Sequence, residues 1–404
     1  MEFIHIQRRR LKMTETPKVK MAVIGVGIMG SSHVRDIATR LPNTQLTAVC
    51  DINHARADLF ASEYQVPAYY DHRDLLDKAD VEAVVIATPH YDHTTIGIAA
   101  LQRGLHVLTE KPLAVHVKDG RKMIAAYEQA RAAKPDIQFA IMFQYRTYSY
   151  WQKIKQMIDG GELGKLVRAT WLITDWFRTQ AYYDGGGWRA TWKGEGGGVL
   201  LNQCPHNLDL YQWLFGVPRR VAGFAHIGKY HHIEVEDEVT GYFEHENGMV
   251  GHFITTTAES PGTNRLEITG EMGKLVCENG KVTFFRNETS MFEFLHTSPN
   301  AFDTVPCQPE DVVFTPPPDW GHALVLETFA NAILRGDKLV AAAPEGLNGL
   351  MLGNAIMLSS FQGRPVDLPF DEDAYEARLM ELIQASSFQK VVRDVQSDLS
   401  KSFH

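Results

Sequence analysis

Three side chains have the types and spacing to move a proton beside a hydride. Lys111 ends the string Thr109-Glu110-Lys111 ahead of Pro112, and His206 follows Gly196-Gly197-Gly198-Val199-Leu200-Leu201-Asn202-Gln203-Cys204-Pro205. Oxidation of a secondary alcohol needs a base for the hydroxyl proton and an electrophile for the developing alkoxide, held where the carbinol hydrogen faces the acceptor. An imidazole can take that proton at neutral pH, and an ammonium can polarise the oxygen. His206, Lys111 and Asn202, four positions before the histidine, are therefore the candidate catalytic residues, and all three are candidate substrate contacts. Asn202 is also read as starting or capping the helix that carries His206, with Asp209, one turn further on, as a weaker orienter.

A hydride needs an acceptor. Gly25-Val26-Gly27-Ile28-Met29-Gly30 directly follows an apolar run and opens a helical pattern, so backbone N–H groups and the helix dipole can hold a pyrophosphate. Asp51 ends the next strand, placed for ribose hydroxyls, and its carboxylate would repel a 2'-phosphate; NAD is expected rather than NADP. The cofactor contacts expected are Gly25, Gly27, Ile28, Met29, Gly30, Asp51, Arg56, Thr88, Pro89, His90, His93, Glu110, Lys111 and Gln144. Cys50, Cys204, Cys277 and Cys307 lack paired spacing, so neither a metal site nor a disulfide framework is expected, and a reducing cytoplasm fits.

The elements that must position these residues alternate. Strands at 19–24, 45–50, 83–87, 106–109 and 137–143 are separated by helices reaching about 40 and 64, then at 93–103 and 115–133, the order of a doubly wound parallel sheet. After a helix at 149–159 the texture changes to strands at 236–244, 249–257, 265–270 and 281–286, with turn sequences Glu246-Asn247-Gly248 and Glu278-Asn279-Gly280. These imply a second, α+β domain with a large, mainly antiparallel open sheet. Helices at about 320–335, 345–360 and 372–389 are expected to pack back on both units. The division expected is a disordered leader at 1–17, in which Met13 could be the true start, an NAD-binding Rossmann domain at 18–143 and a substrate and oligomerisation domain at 144–404. With 404 residues, 44% hydrophobic and 22% charged, the chain is long enough for two cores.

Thr109-Glu110-Lys111-Pro112, with Ala87-Thr88-Pro89 and His93 upstream, resembles the glucose-fructose oxidoreductase, inositol dehydrogenase and rhizopine-catabolism (Gfo/Idh/MocA) family, from about residue 19 to about 369. The run from Gly196 to Asp209 resembles the family's glycine-rich strand leading into the helix of its catalytic histidine, and Ala343-Pro344-Glu345-Gly346 is family-like. The resemblance implies that Lys111 polarises the reacting oxygen and that His206 is the main base. Many members have an aspartate where this chain has Asn202; an amide cannot be a base, so Asn202 is expected to orient the sugar or the histidine.

Four of the seven tryptophans lie between Trp171 and Trp192, with Phe177, Tyr182 and Tyr183 interleaved with Asp175, Arg178, Asp184, Arg189 and Lys193. Aromatic faces with charged rims suit a pyranose. Trp176, Arg178, Tyr183, Trp188, Arg189 and Trp192, with Arg146, complete the substrate contacts expected; Trp171 and Trp176 read equally well as core. The breadth of the family points to a sugar, polyol or glycoside, with C3 of a glucoside as the finer reading. A glycosidase that recycles NAD internally and a dinucleotide-binding regulator are the alternatives. A net charge of -9 offers no grip on nucleic acid, no apolar run is long enough for a membrane span, and the open sheet suggests a homodimer or homotetramer.

Overall fold

The computed structural model describes residues 17–316 and 321–393; the leader expected at 1–17 falls, except for Pro17, outside them. Strands β1 (Val19–Ile24), β2 (Thr44–Cys50), β3 (Ala68–Tyr69), β4 (Ala83–Ile86), β5 (His106–Thr109) and β6 (Phe139–Ile141) form a parallel sheet in the order β3-β2-β1-β4-β5-β6. Helices cover both faces, which is why β1 and β4 read as nearly unbroken apolar runs. The order reverses between β1 and β4, and the crevice at their carboxyl ends is where such sheets take ligands. Leu326 and Phe329 of the late helix His322–Arg335 pack on one face of this sheet with Val19, Met21 and Val23.

The second sheet contains β7 (Leu166–Ile173), β8 (Arg220–Ile227), β9 (Glu236–Glu244), β10 (Val250–Thr256), β11 (Asn264–Gly270), β12 (Gly273–Glu278), β13 (Lys281–Asn287), β14 (Cys307–Asp311) and β15 (Val366–Asp367). Its order is β14-β13-β12-β11-β7-β10-β9-β8-β15. Both expected hairpins form, and at the β12–β13 turn Asn279 and Gly280 both take positive φ, as the primed turns of hairpins require. One pairing departs from consecutive hairpins: β7 runs parallel to β10 and antiparallel to β11.

Helices Pro205–Phe215 and Gly346–Gln362 cover one face of this sheet, around Trp171, Phe243 and Phe253. The approach is close: a Cβ at Gly223 would lie 2.2 Å from the Ile356 carbonyl oxygen, and one at Gly251 would lie 1.9 Å from the Tyr211 hydroxyl. No helix among the described residues is long and apolar enough to cross a membrane.

Four local expectations are corrected. The helix expected from 93 begins at His90 behind Pro89, and the last helix ends at Ala385. Residues 196–201 form turns rather than a strand, because their amides are satisfied by a side chain: Glu236 accepts from Gly198 N (2.8 Å) and Leu200 N (3.0 Å). Asn202 is no cap, since the helix starts at Pro205 with Cys204 before it.

Candidate active site

The glycine turn between β1 and the helix Ile28–Arg35 is built for close approach. Gly25 has φ +86°, and a Cβ on Gly30 would sit 1.8 Å from the Gly25 carbonyl oxygen. Gly27 differs: the nearest atom to a Cβ there is Arg56 Nη1 at 4.0 Å, so the loop apex is open. Asp51, nearly buried at the end of β2, accepts from Val26 N (3.0 Å) and Asn53 N (2.8 Å), with Arg56 Nη1 at 3.3 Å. The carboxylate expected to face a ribose thus also holds the glycine turn. Ile28, the first residue of that helix, is exposed and Met29 half-buried.

The neighbouring strand ends are welded together. His93, fully buried, lies between the carbonyls of Thr88 (2.9 Å) and Pro112 (2.8 Å), so it positions both loops and is not itself open to a cofactor. Glu110 is likewise occupied: Oε1 pairs with His33 Nε2 (2.8 Å) and Oε2 accepts from Lys111 N (3.1 Å). Burial pushes its carboxyl up, but the His33 contact prevails and holds it down at about 2. Buried Thr88 Oγ1 and Gln144 Oε1 have no partner. An open apex over Gly27 and orphaned polar atoms at the sheet's carboxyl edge fit a dinucleotide stretching between them.

Lys111 reaches across to the second unit, where its Nζ donates to the Asn202 carbonyl (2.8 Å). Burial lowers its pKa, Glu110 opposes this, and Arg189 lowers it further. His206, in the first turn of its helix, stacks on Tyr145 (4.6 Å) and accepts at Nε2 from Gln144 Nε2 (3.1 Å). Burial, and then the charge of Lys111, push the imidazole well below its ordinary value, so it is neutral and able to take a proton.

Glu195 is the residue that sequence reasoning missed. Buried, it accepts from the Asn202 side-chain amide and, at 2.6 Å, from Ala190 N, while its own carbonyl lies 3.1 Å from His90 Nδ1. Burial raises its pKa. A carboxylate is thus present one hydrogen bond behind Asn202, and its only sequence signal is its place directly before the three glycines. The expectation that Asp209 orients His206 is corrected: its two oxygens are taken by Arg146 Nε (2.8 Å) and Nη2 (2.7 Å).

Three expected substrate contacts lie elsewhere. Arg146 is buried in that pair and a second one with Glu345 (2.6 Å), a structural role. Tyr183 is buried with its hydroxyl on Thr257 Oγ1 (2.7 Å), and Trp192 is buried, its ring facing Phe361. Trp171 is core. The structure does bring together Trp176, Arg178, Trp188 and Arg189, around Tyr182: the two guanidinium carbons lie 5.2 and 4.8 Å from the Tyr182 ring centre. Trp188 stands edge-on to His90, 5.2 Å away, which joins this cluster to the start of the helix His90–Gln102 that follows β4.

A parallel sheet with a glycine turn and a second open sheet supplying lysine-facing groups defines a dinucleotide-dependent oxidoreductase architecture. The model of the oxidoreductase family's NAD-binding Rossmann fold matches residues 19–133, and that of the family's C-terminal domain matches residues 151–276. The chain belongs to the Gfo/Idh/MocA family. Inositol 2-dehydrogenase of Salmonella typhimurium is 34% identical over 149 residues, a match spanning 36% of this chain and 43% of that protein. The scyllo-inositol 2-dehydrogenase (NAD(+)) of Bacillus subtilis is 24% identical over 87% of this chain and 96% of its own length. The WlbA dehydrogenase of Bordetella pertussis, solved with NADH and UDP-GlcNAcA, superposes with a TM-score of 0.74 at 26% identity, over 88% of this chain and 100% of that one.

Proposed function

We propose that the protein is an NAD-dependent oxidoreductase acting on a secondary hydroxyl of a sugar, glycoside or polyol. The observation that carries this is the convergence of a lysine from the first sheet and a neutral, buried histidine from the second unit, with the Lys111–Asn202 hydrogen bond closing the gap. NAD, when bound, accepts the hydride. His206 Nε2, whose lone pair faces the Gln144 amide, takes the hydroxyl proton once a substrate oxygen replaces that amide. Lys111 stabilises the oxygen as charge develops on it. Asn202, fixed by Glu195, holds Lys111 in line through its backbone carbonyl. The inositol dehydrogenases and the nucleotide-sugar complex among the relatives support a substrate carrying ring hydroxyls.

The finer proposal is the C3 hydroxyl of a glucoside-like ring, and a product that is only the C1 lactone would overturn it. Assembly as a homodimer or homotetramer belongs to the same proposal, supported by Phe224 and Ile227 exposed on β8. The test is formation of reduced nicotinamide with the full chain, NAD and a panel of sugars, inositols and glycosides. His206→Asn and Lys111→Met should each lower kcat by about 10²- to 10⁴-fold, with NADH binding retained. Near-normal turnover in either variant would overturn that residue's role. Aglycone release without net NADH would instead indicate the recycling glycosidase, and tight NAD binding with neither product a regulator.

A further inference from the structure

We infer that the substrate is an acidic sugar whose anionic group is held by Arg189. The inference rests on the oxidoreductase reading and names the substrate class of the same site.

Arg189 is a preorganised cation. Its guanidinium carbon lies 4.8 Å from the Tyr182 ring centre and 4.7 Å from that of Trp188. Its main chain is clamped on both sides: the Arg189 carbonyl accepts from Lys390 Nζ (2.6 Å), and the next residue, Ala190, held at φ +64°, donates its N–H to Glu195. Left-handed backbone at a residue with a Cβ is costly and persists only where the surroundings impose it. The clamp aims a long, flexible side chain that would otherwise sample many rotamers. Stacking satisfies the faces of a guanidinium; one hydrogen bond goes to Tyr182, and the remaining edge is left for a ligand. The buried Nε of Arg189 has no hydrogen-bond partner, and Arg189 makes no ion pair among the described residues.

The surrounding charge points the same way. Arg178 lies 5.2 Å from the same Tyr182 ring and 5.3 Å from that of Trp176. After burial, Glu110 favours the ammonium form of Lys111, Arg189 disfavours it, Glu195 favours it and Arg178 disfavours it. Lys111 and Arg189 thus share one half-buried crevice with Glu110, already engaged by His33 and the Lys111 N–H, and Glu195, already engaged by Asn202 and Ala190. Like charges so placed repel in a medium of reduced dielectric, and a neutral polyol would leave that repulsion uncompensated. A carboxylate or phosphate on the sugar would complete the edge of Arg189, offset the repulsion and favour the ammonium form of Lys111.

The test measures binding and turnover separately. With the full chain loaded with NADH, calorimetry compares glucuronate, gluconate and glucose 6-phosphate with glucose and myo-inositol. An acidic ligand should bind about 10- to 100-fold more tightly than its neutral counterpart, as expected for one charge-assisted contact. Arg189→Met should reduce that preference to within a few-fold, and Arg189→Lys should restore part of it, with NADH affinity unchanged in both. Carboxylate against phosphate as the preferred group identifies which acid the site takes. Equal binding of neutral and acidic ligands would overturn the inference, as would a loss of NADH affinity in Arg189→Met, which would assign the arginine to the cofactor. Turnover of neutral sugars alone would overturn it while leaving the oxidoreductase reading intact; acid-selective binding with no reduced nicotinamide formed would do the reverse.

Discussion

His206 is buried beside a lysine, and both circumstances act on the same proton. Desolvation and the Lys111 charge keep the imidazole neutral at pH values where a free histidine is half protonated. The acid limb of kcat/KM should therefore lie below pH 6.5, because oxidation is lost only once pH falls through the depressed His206 pKa. Lys111 is displaced in the same direction, so the ammonium is lost, and the alkaline limb falls, below pH 10.5. A pH profile of kcat/KM for sugar oxidation checks both limbs, and His206→Asn should abolish the acid one. An acid limb at or above 6.5 would show that substrate binding reverses the desolvation.

At the scale of elements, Arg146 fixes how the two halves of the site meet. It bridges the short turn of helix Gln144–Thr147, the helix Pro205–Phe215 and the turn Ala343–Glu345 through Asp209 and Glu345. Gln144, two residues before it, is the partner of His206. Arg146→Met would strand Asp209 as an uncompensated buried charge and should destabilise the protein by about 3–5 kcal/mol. The paired replacement Arg146→Met with Asp209→Leu should recover most of that loss in chemical denaturation, since no charge is then left behind. If the single and paired variants unfold alike, the arginine contributes packing rather than charge pairing.

For the whole molecule, the cofactor is the expected link between the two sheets, since the glycine turn, the loop 109–112 and Gln144 border one crevice. Ligand that binds only the folded state stabilises it, by about 2.7 kcal/mol at a hundredfold excess over Kd. NAD should therefore raise the thermal midpoint, and NADP should do so far less because Asp51 opposes a 2'-phosphate. An equal shift with both cofactors would mean that Arg56, 3.3 Å from that carboxylate, neutralises it.

The alternating strands, the glycine turn, Asp51, Lys111 and His206 were all legible because each sits in a segment with a period: a buried parallel strand, a helix, or the turn between them. Periodicity tells which face of an element is apolar and where its ends fall. It does not tell which element packs on which. Arg146 and Asp209 are 63 residues apart and meet only when the two units dock; before that, a buried pair and a substrate contact look the same in sequence. The stretch 176–204 has little regular hydrogen-bonded ladder, so nothing in its spacing separates Tyr183 and Trp192, which enter the core, from Trp188 and Arg189, which line the crevice. Tertiary structure alone placed Glu195 behind Asn202, because a carboxylate's partner in a glycine-rich turn is set by where the chain folds back rather than by any repeat along it.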